Sequence, residues 1–436
     1  MSPLDTKILR IALPSIVSNI TVPLLGLIDV AIVGHMGSPV YIGAVAVGSM
    51  IFNLLYWLFA FLRMGSSGLT SQALGRRDLA EVARLLVRSA AIALGIAALL
   101  LLFQVPLKWL MFWLIGPTED VSPLASAYFD IVIWGAPATM GLYSLSGWFV
   151  GMQNTRIPMI ISIGQNVVNI LASLGVVYGL GLKIEGVALG TVIAQYAGLL
   201  LAVGLLLRYY GRLRSHLVLQ GTFVRRAMSQ FFHINRDIFL RTLCLVSVNL
   251  YFTSAGARHG AVILSVNTIL MQLYLFYSYF MDGFAYAGEA LGGKAFGARN
   301  VEAFQAMLRR LWGWALAVAV LFSLVYTCFG LRILGILTDE PQVMETAREF
   351  VFWVWLVPPA STTAFILDGI FIGITATRGM LLSSFLATLS FFALYFLTRG
   401  LWGNHALWLA MIGYLAMRGI VQAVWLRKRG ICQTRV

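Results

Sequence analysis

Residues 8–34 read ILRIALPSIVSNITVPLLGLIDVAIVG, an apolar run long enough to cross a bilayer. The run holds a single carboxylate, Asp29, and two prolines, Pro14 and Pro23. A charged Asp at the centre of a membrane helix costs roughly 2.5–3.5 kcal/mol on insertion scales. Protonation removes the charge and with it most of that cost, so an acid here is suited to pick up and release protons. The alternative is an Asp that hydrogen-bonds a neighbouring helix and simply holds two spans together. Acids inside spans are costly and are usually functional, which favours an ion-coupling role for Asp29.

The rest of the chain has the same character. Of 436 residues, 60% are hydrophobic and 11% charged, and the mean hydropathy is +0.86. A soluble domain of this size does not have that composition, whereas a polytopic membrane protein does. Apolar runs of span length fall near 8–34, 41–63, 87–107, 125–150, 157–180, 184–207, 237–257, 260–288, 311–331, 347–374, 380–398 and 404–426. The fold class is therefore an all-α integral membrane protein of about twelve transmembrane helices. The first helix lacks a small-residue cleavage site after a short apolar core and reads as retained. The cysteines Cys244, Cys328 and Cys432 lie far apart and form no metal or redox spacing.

The net charge of +14 raises the question of a nucleic-acid partner. Its distribution answers otherwise. Basic residues gather on alternate loops, roughly 24 against 6, which is a positive-inside pattern. Both termini are expected in the cytoplasm, at the cytoplasmic (inner) membrane. The basic excess faces anionic lipid, and no nucleic-acid partner is expected. The longest polar break, residues 208–236, reads as a cytoplasmic linker between a 1–207 lobe and a 237–436 lobe with a short basic tail. Within it, FVRRAMSQFF (223–232) reads either as an amphipathic helix on the membrane surface or as a solvated loop.

The two halves repeat. LSGWFVGMQNTR (145–156) aligns with LDGIFIGITATR (367–378) at an offset of 222 residues. The same offset places Pro137 on Pro359 and ALGRRDLAEVARLLVR (73–88) on AFGARNVEAFQAMLRR (295–310). Six spans per half is an even number, so the halves share an orientation and form two pseudo-symmetric six-helix lobes. In the repeated loops, Asp78 and Asn300 are expected to cap the helices that follow.

On these residues the chain resembles the multidrug and toxic compound extrusion (MATE) transporters, in their DinF-like branch. The matching stretches are LIDVAIVGHMG (27–37), ALGRRD (73–78), residues 165–196, residues 266–300 and FILDGIFIGITATR (365–378). Each motif alone is loose; in order, they cover essentially the whole chain. The resemblance implies a V-shaped pair of lobes and export coupled to inward H⁺ or Na⁺. A major facilitator would carry an acid three positions before the Gly of the loop between spans two and three, where this chain has Gln72 before Gly75.

The resemblance also implies a cation site: a first-span Asp, matching Asp29; a fifth-span Asn, matching Asn169; and a sixth-span Thr, matching Thr191. The family's fifth-span Asp is replaced by Ser173. Asn169 and Ser173 are four apart and still face the same way. One carboxylate suffices for a proton, and Na⁺ with one carboxylate is charge-neutral; the balance favours H⁺. Apart from Asp29, Asn169 and Thr191 would read as interhelical hydrogen bonders. Pro14 lies about 22 Å before Asp29 along the helix. Pro14 and Pro23 each remove a backbone hydrogen bond and are candidate bend points. The resemblance implies that protonation of the first span changes its bend.

The second half carries acids that its repeat partner lacks. Asp282, Glu289 and Asp368 correspond to Ala60, Ser67 and Ser146. They read either as a second cation or substrate site, or as partners of basic residues such as Lys294 and Arg241, with Glu289 assigned the structural role near the membrane edge. In MQLYLFYSYFMDGF (271–284), Leu275, Ser278 and Tyr279 share a face with Asp282 and are the candidate cargo contacts. Trp109, Trp113, Trp402 and Trp408 read as interface anchors.

The function expected is a secondary antiporter, a monomer, that exports amphipathic organic cations without a cofactor or bound metal. A flippase for a lipid-linked or amphipathic metabolite is the alternative; for anionic lipid it would need interior Arg or Lys, and Arg241 and Arg418 are the candidates. A membrane enzyme is disfavoured, because the His residues are scattered and no GxSxG or HExxH occurs.

Overall fold

The computed structural model describes residues 2–34, 38–216 and 220–429. Residues 35–37 of the first matching stretch, 217–219 of the linker, and the tail from 430 with Cys432 lie outside the described residues.

Among the described residues the chain is helical, with no strand. The helices are α1 (Pro3–Gly34), α2 (Pro39–Leu58), α3 (Phe61–Gly75), α4 (Leu79–Leu102), α5 (Gln104–Ile115), α6 (Ser122–Val132), α7 (Ala136–Gly151), α8 (Arg156–Leu174) and α9 (Ile184–Tyr210). After the linker come α10 (Arg225–Ala257), α11 (Ala261–Gly297), α12 (Val301–Leu337), α13 (Pro341–Gly373), α14 (Thr377–Trp402) and α15 (Asn404–Lys428). Ten helical stretches of the described residues are long and apolar enough to cross a membrane. With α1 and the α6–α7 pair they make the twelve expected spans.

Several local expectations are corrected. The second span is not one helix. It tightens at Phe59 and Ala60, whose amides bond Tyr56 and Trp57 three residues back, and resumes as α3. The segment FVRRAMSQFF is neither a separate surface helix nor a loop, because α10 runs unbroken from Arg225 into the span. Ahead of α10, the linker docks on α4, where the buried Arg88 donates from Nε to the Thr222 carbonyl at 2.8 Å and pairs with Glu81 at 3.1 Å. Trp109, Trp113 and Trp402 are exposed, as interface anchors would be, the first two on the short α5. Trp408 is fully buried instead, and its indole donates to Asn267 Oδ1 at 2.8 Å. A buried indole N–H needs an acceptor, and the Asn267–Asn404 amide pair supplies it.

The chain divides into two compact units, 17–231 and 1–16 with 232–436. The division falls inside α1 and, between Phe231 and Phe232, inside α10. The start of α1 belongs to the later unit: Asp5 accepts from the Trp314 indole on α12 at 3.2 Å, and Ala12 and Ile16 lie against Gly283 on α11. The break between Ile16 and Val17 comes just after Pro14, which cannot donate to the carbonyl one turn back.

The repeat is present in atomic detail. Arg77 and Arg299 take left-handed φ of 61° and 54°, and Gln153 and Thr375 take 63° and 54°. Each pair is related by the offset read from the sequence. Asp78 Oδ1 accepts the Glu81 amide and Asn300 Oδ1 the Ala303 amide, both at 2.9 Å, so both caps form as expected. Gly147 and Gly369 are equivalent too. A Cβ at Gly147 would lie 2.2 Å from the Arg63 carbonyl, and one at Gly369 would lie 2.1 Å from that of Ala285. Only a hydrogen fits where these helices cross.

Candidate functional site

The candidate site lies in the unit of residues 17–231. Two contacts fix the C-terminal half of α1 against α8: Thr21 Oγ1 and Ser162 Oγ are 3.0 Å apart, and Asn166 Nδ2 donates to the Thr21 carbonyl at 2.9 Å. Two helical turns further on, Asp29 is buried. On α8, Asn169 and Ser173 are both fully buried. On α9, Thr191 donates back to the Val187 carbonyl at 3.1 Å and accepts from Asn169 Nδ2 at 3.3 Å. Gly190 lets α9 close on α8 here, since a Cβ at that position would lie 2.2 Å from Ser173 Oγ.

A fifth residue, Tyr128 on α6, joins these groups. Its buried phenol interacts with the Thr191 and Ser49 hydroxyls and lies in the field of Asp29. Gly48 makes room for the ring, as a Cβ there would fall 2.3 Å from Tyr128 Cδ1. No motif marks Tyr128; it reaches the site only through the packing of α2 on α6.

The site is rich in oxygen. Asp29 Oδ1, Asn169 Oδ1 and Ser173 Oγ are buried without a hydrogen-bond partner. Buried polar atoms are normally satisfied, and three orphaned oxygens together favour a small positive species or a proton. The donor set is one carboxylate with neutral amide and hydroxyl groups, which fits H⁺ and is also a hard-oxygen set of the kind Na⁺ takes.

Pro14 and Pro23 both lie inside α1. Next to Pro14, Ser15 Oγ bonds back to the Ile11 carbonyl at 2.9 Å, a contact that loosens helix geometry where a backbone bond is already missing.

In the other unit, Asp368 is buried between Arg241 of α10 and Arg418 of α15, and both guanidinium groups donate to its Oδ2. Gln422 Nε2 donates to Oδ1, and the Tyr414 ring lies 5.6 Å from the Arg418 guanidinium. Asp368 thus takes the ion-paired alternative open to these acids, and its partners include Arg418 in addition to Arg241. Asp282 is half-buried and lies in the field of Tyr274 and Tyr279, with Tyr279 also half-buried. Glu289 is fully buried at the crossing of α11 with α13, where a Cβ on Gly373 would lie 2.5 Å from its carbonyl. Phe276, Tyr277 and Phe280 pack on Phe322 of α12, with ring centroids 4.9–6.0 Å apart. That part of the aromatic run is helix packing.

Residues 14–174 and 238–397 match the MatE family. The chain is 40% identical over 428 residues to DNA damage-inducible protein F of Escherichia coli (strain K12), across 97% of this chain and 92% of that protein. It is 22% identical over 358 residues to the probable multidrug resistance protein NorM of Thermotoga maritima, across 78% of this chain and 74% of that one. A crystal structure described as MATE in the bent conformation shares the fold, with a TM-score of 0.88 over 98% of this chain and 96% of that one at 18% identity. The matched segments are the two halves of the repeat, and the chain is a multi-pass membrane protein that belongs to the MatE family of multidrug and toxic compound extrusion transporters, in its DinF-like branch.

Proposed function

We propose that this transporter is a secondary antiporter that exports amphipathic organic cations in exchange for H⁺ or, failing that, Na⁺. It works by alternating access in the cytoplasmic (inner) membrane, as a monomer with both termini in the cytoplasm. It needs no catalytic residue or cofactor and binds no nucleic acid. The observation that carries the reading is the group formed by Asp29, Asn169, Ser173 and Thr191: one buried carboxylate beside neutral oxygens left without donors. In this reading Asp29 takes the coupling ion, and the prolines of α1 let the helix respond. Asp282 and Tyr279 are the cargo contacts that remain, because Asp368 is neutralised by its arginines.

The buried Arg241 and Arg418 favour a second reading. Two guanidinium groups share one carboxylate, so this cluster carries one positive charge more than negative. A flippase for an anionic lipid-linked or amphipathic metabolite would use such a charge.

The test is reconstitution into liposomes, with ΔpH and ΔNa⁺ imposed separately while a fluorescent organic cation is followed. Cation efflux driven by ΔpH and absent in Asp29→Asn supports the antiporter. No cation movement under either gradient, with scrambling of a labelled anionic lipid, supports the flippase.

A further inference from the structure

Helices α10 and α14 lie side by side and enclose a groove of about 630 Å³. Its two ends differ. At one end stand Arg236 and Arg378, both exposed, on the loop side that carries the basic excess. Beyond them the walls are Leu240, Leu243, Leu381, Leu382 and Phe385, with Cys244 at the far end. Leu382 and Phe385 are about half exposed, at 46% and 52%, so the apolar part opens to the surroundings of the unit.

The charge balance at the rim is positive. Asp237 also lines the groove, but it is buried. One of its oxygens pairs with Arg236 at 3.1 Å, and the other accepts the Thr377 hydroxyl at 3.0 Å. Arg378 forms no ion pair among the described residues. It sits in the first turn of α14, whose N-cap, Ala376, offers no side-chain acceptor. The partial positive charge of that helix end therefore adds to the guanidinium. From Arg236 to Cys244 the groove follows α10 for about 12 Å.

A soluble anion would use the rim and leave the apolar walls exposed. A neutral lipid would cover the walls and leave Arg378 without a partner. We propose that the groove binds one anionic phospholipid. Its phosphate lies between Arg236 and Arg378, and an acyl chain lies along the leucines and Phe385. This is the pairing of basic residues with anionic headgroups expected at the cytoplasmic leaflet, where each basic side chain contributes about 1 kcal/mol.

Cys244 is a built-in reporter. The experiment uses the full chain with Cys328→Ser and Cys432→Ser, purified in a neutral detergent, and follows labelling of Cys244 by monobromobimane. Phosphatidylglycerol is expected to slow labelling several-fold, while phosphatidylcholine at the same concentration and glycerol 3-phosphate leave it unchanged. Arg378→Gln, an exposed change that strands no buried partner, is expected to weaken the phosphatidylglycerol effect about fivefold. Leu382→Trp, which fills the groove, is expected to remove it. Equal protection by both lipids, protection by glycerol 3-phosphate alone, or no protection would each overturn the proposal. Native mass spectrometry of the unmodified chain gives an independent check: one phosphatidylglycerol retained under conditions that strip phosphatidylcholine supports it, and equal loss of both refutes it.

Discussion

Asn169 on α8 gives its amide N–H to the Thr191 hydroxyl on α9, at 3.3 Å, and thereby turns its own Oδ1 into a buried oxygen without a donor. Ser173 Oγ and Asp29 Oδ1 are in the same condition. The Asn169 donor is spent between helices, and three oxygens are left without a partner around a single acid. This polarity suits a site that holds and releases a positive species.

If Asp29 is the coupling group, Asp29→Asn keeps the shape and removes the exchangeable charge. The expected result is a stable, correctly inserted protein whose efflux no longer responds to ΔpH. Efflux at the wild-type level with an intact pH response would rule out the assignment.

Among the described residues, Asp368 is the one carboxylate that pairs with the two buried arginines, Arg241 and Arg418. Removing one partner of a buried ion pair costs about 3–5 kcal/mol, because the remaining charge is left uncompensated. Asp368→Asn is expected to lower the unfolding temperature in detergent sharply, whereas Asp130→Asn, which removes an exposed pair with Lys108, should leave it nearly unchanged. An equally small loss at Asp368 would show that the arginines find another partner.

The equivalent glycines make a matched pair of tests. Gly147→Ala and Gly369→Ala each drive a methyl group into a backbone carbonyl about 2 Å away, a contact that side-chain rotation cannot relieve. Overpacking of this kind costs about 1–3 kcal/mol. Gly95→Ala and Gly313→Ala meet nothing within 4 Å. They are expected to be neutral or to stabilise by about 0.5–1 kcal/mol through helix propensity. Thermal unfolding of the four variants side by side checks both signs.

Asp5 offers a pH test at the start of α1, outside the span. The Ser2 amide and hydroxyl, the Trp314 indole and the Arg310 guanidinium hold its carboxyl below the usual carboxylate range, against a smaller opposing effect of burial. A depressed folded-state value means that the contribution is fully present above the unfolded value of about 3.9 and is lost as pH falls from there through the folded value. The stability difference between wild type and Asp5→Asn should therefore be constant near neutrality and close only in acid. A difference that closes between pH 6 and pH 8 would contradict this.

What was legible in the linear chain was whatever repeats or has a period. Span-length apolar runs located the membrane helices, because lipid demands about twenty apolar residues per crossing. The 222-residue offset located the duplicated loops, and the left-handed residues at Arg77 and Arg299 and at Gln153 and Thr375 fall on it. Asp78 and Asn300 were readable as caps because capping is decided within one helical turn.

Partners across the fold were not legible in that way. Trp408 has the same local signature as Trp402, yet it lies in the core, because Asn267 on another helix offers an acceptor. Tyr128 enters the Asp29 group through Gly48, a pairing that no local pattern encodes. Asp29 stood out on its own helix, since a carboxylate in an apolar span carries its cost wherever it points. Whether an acid ends beside orphaned oxygens, as Asp29 does, or between two arginines, as Asp368 does, depends on helices distant in the chain. That difference in neighbours arises only when the helices pack.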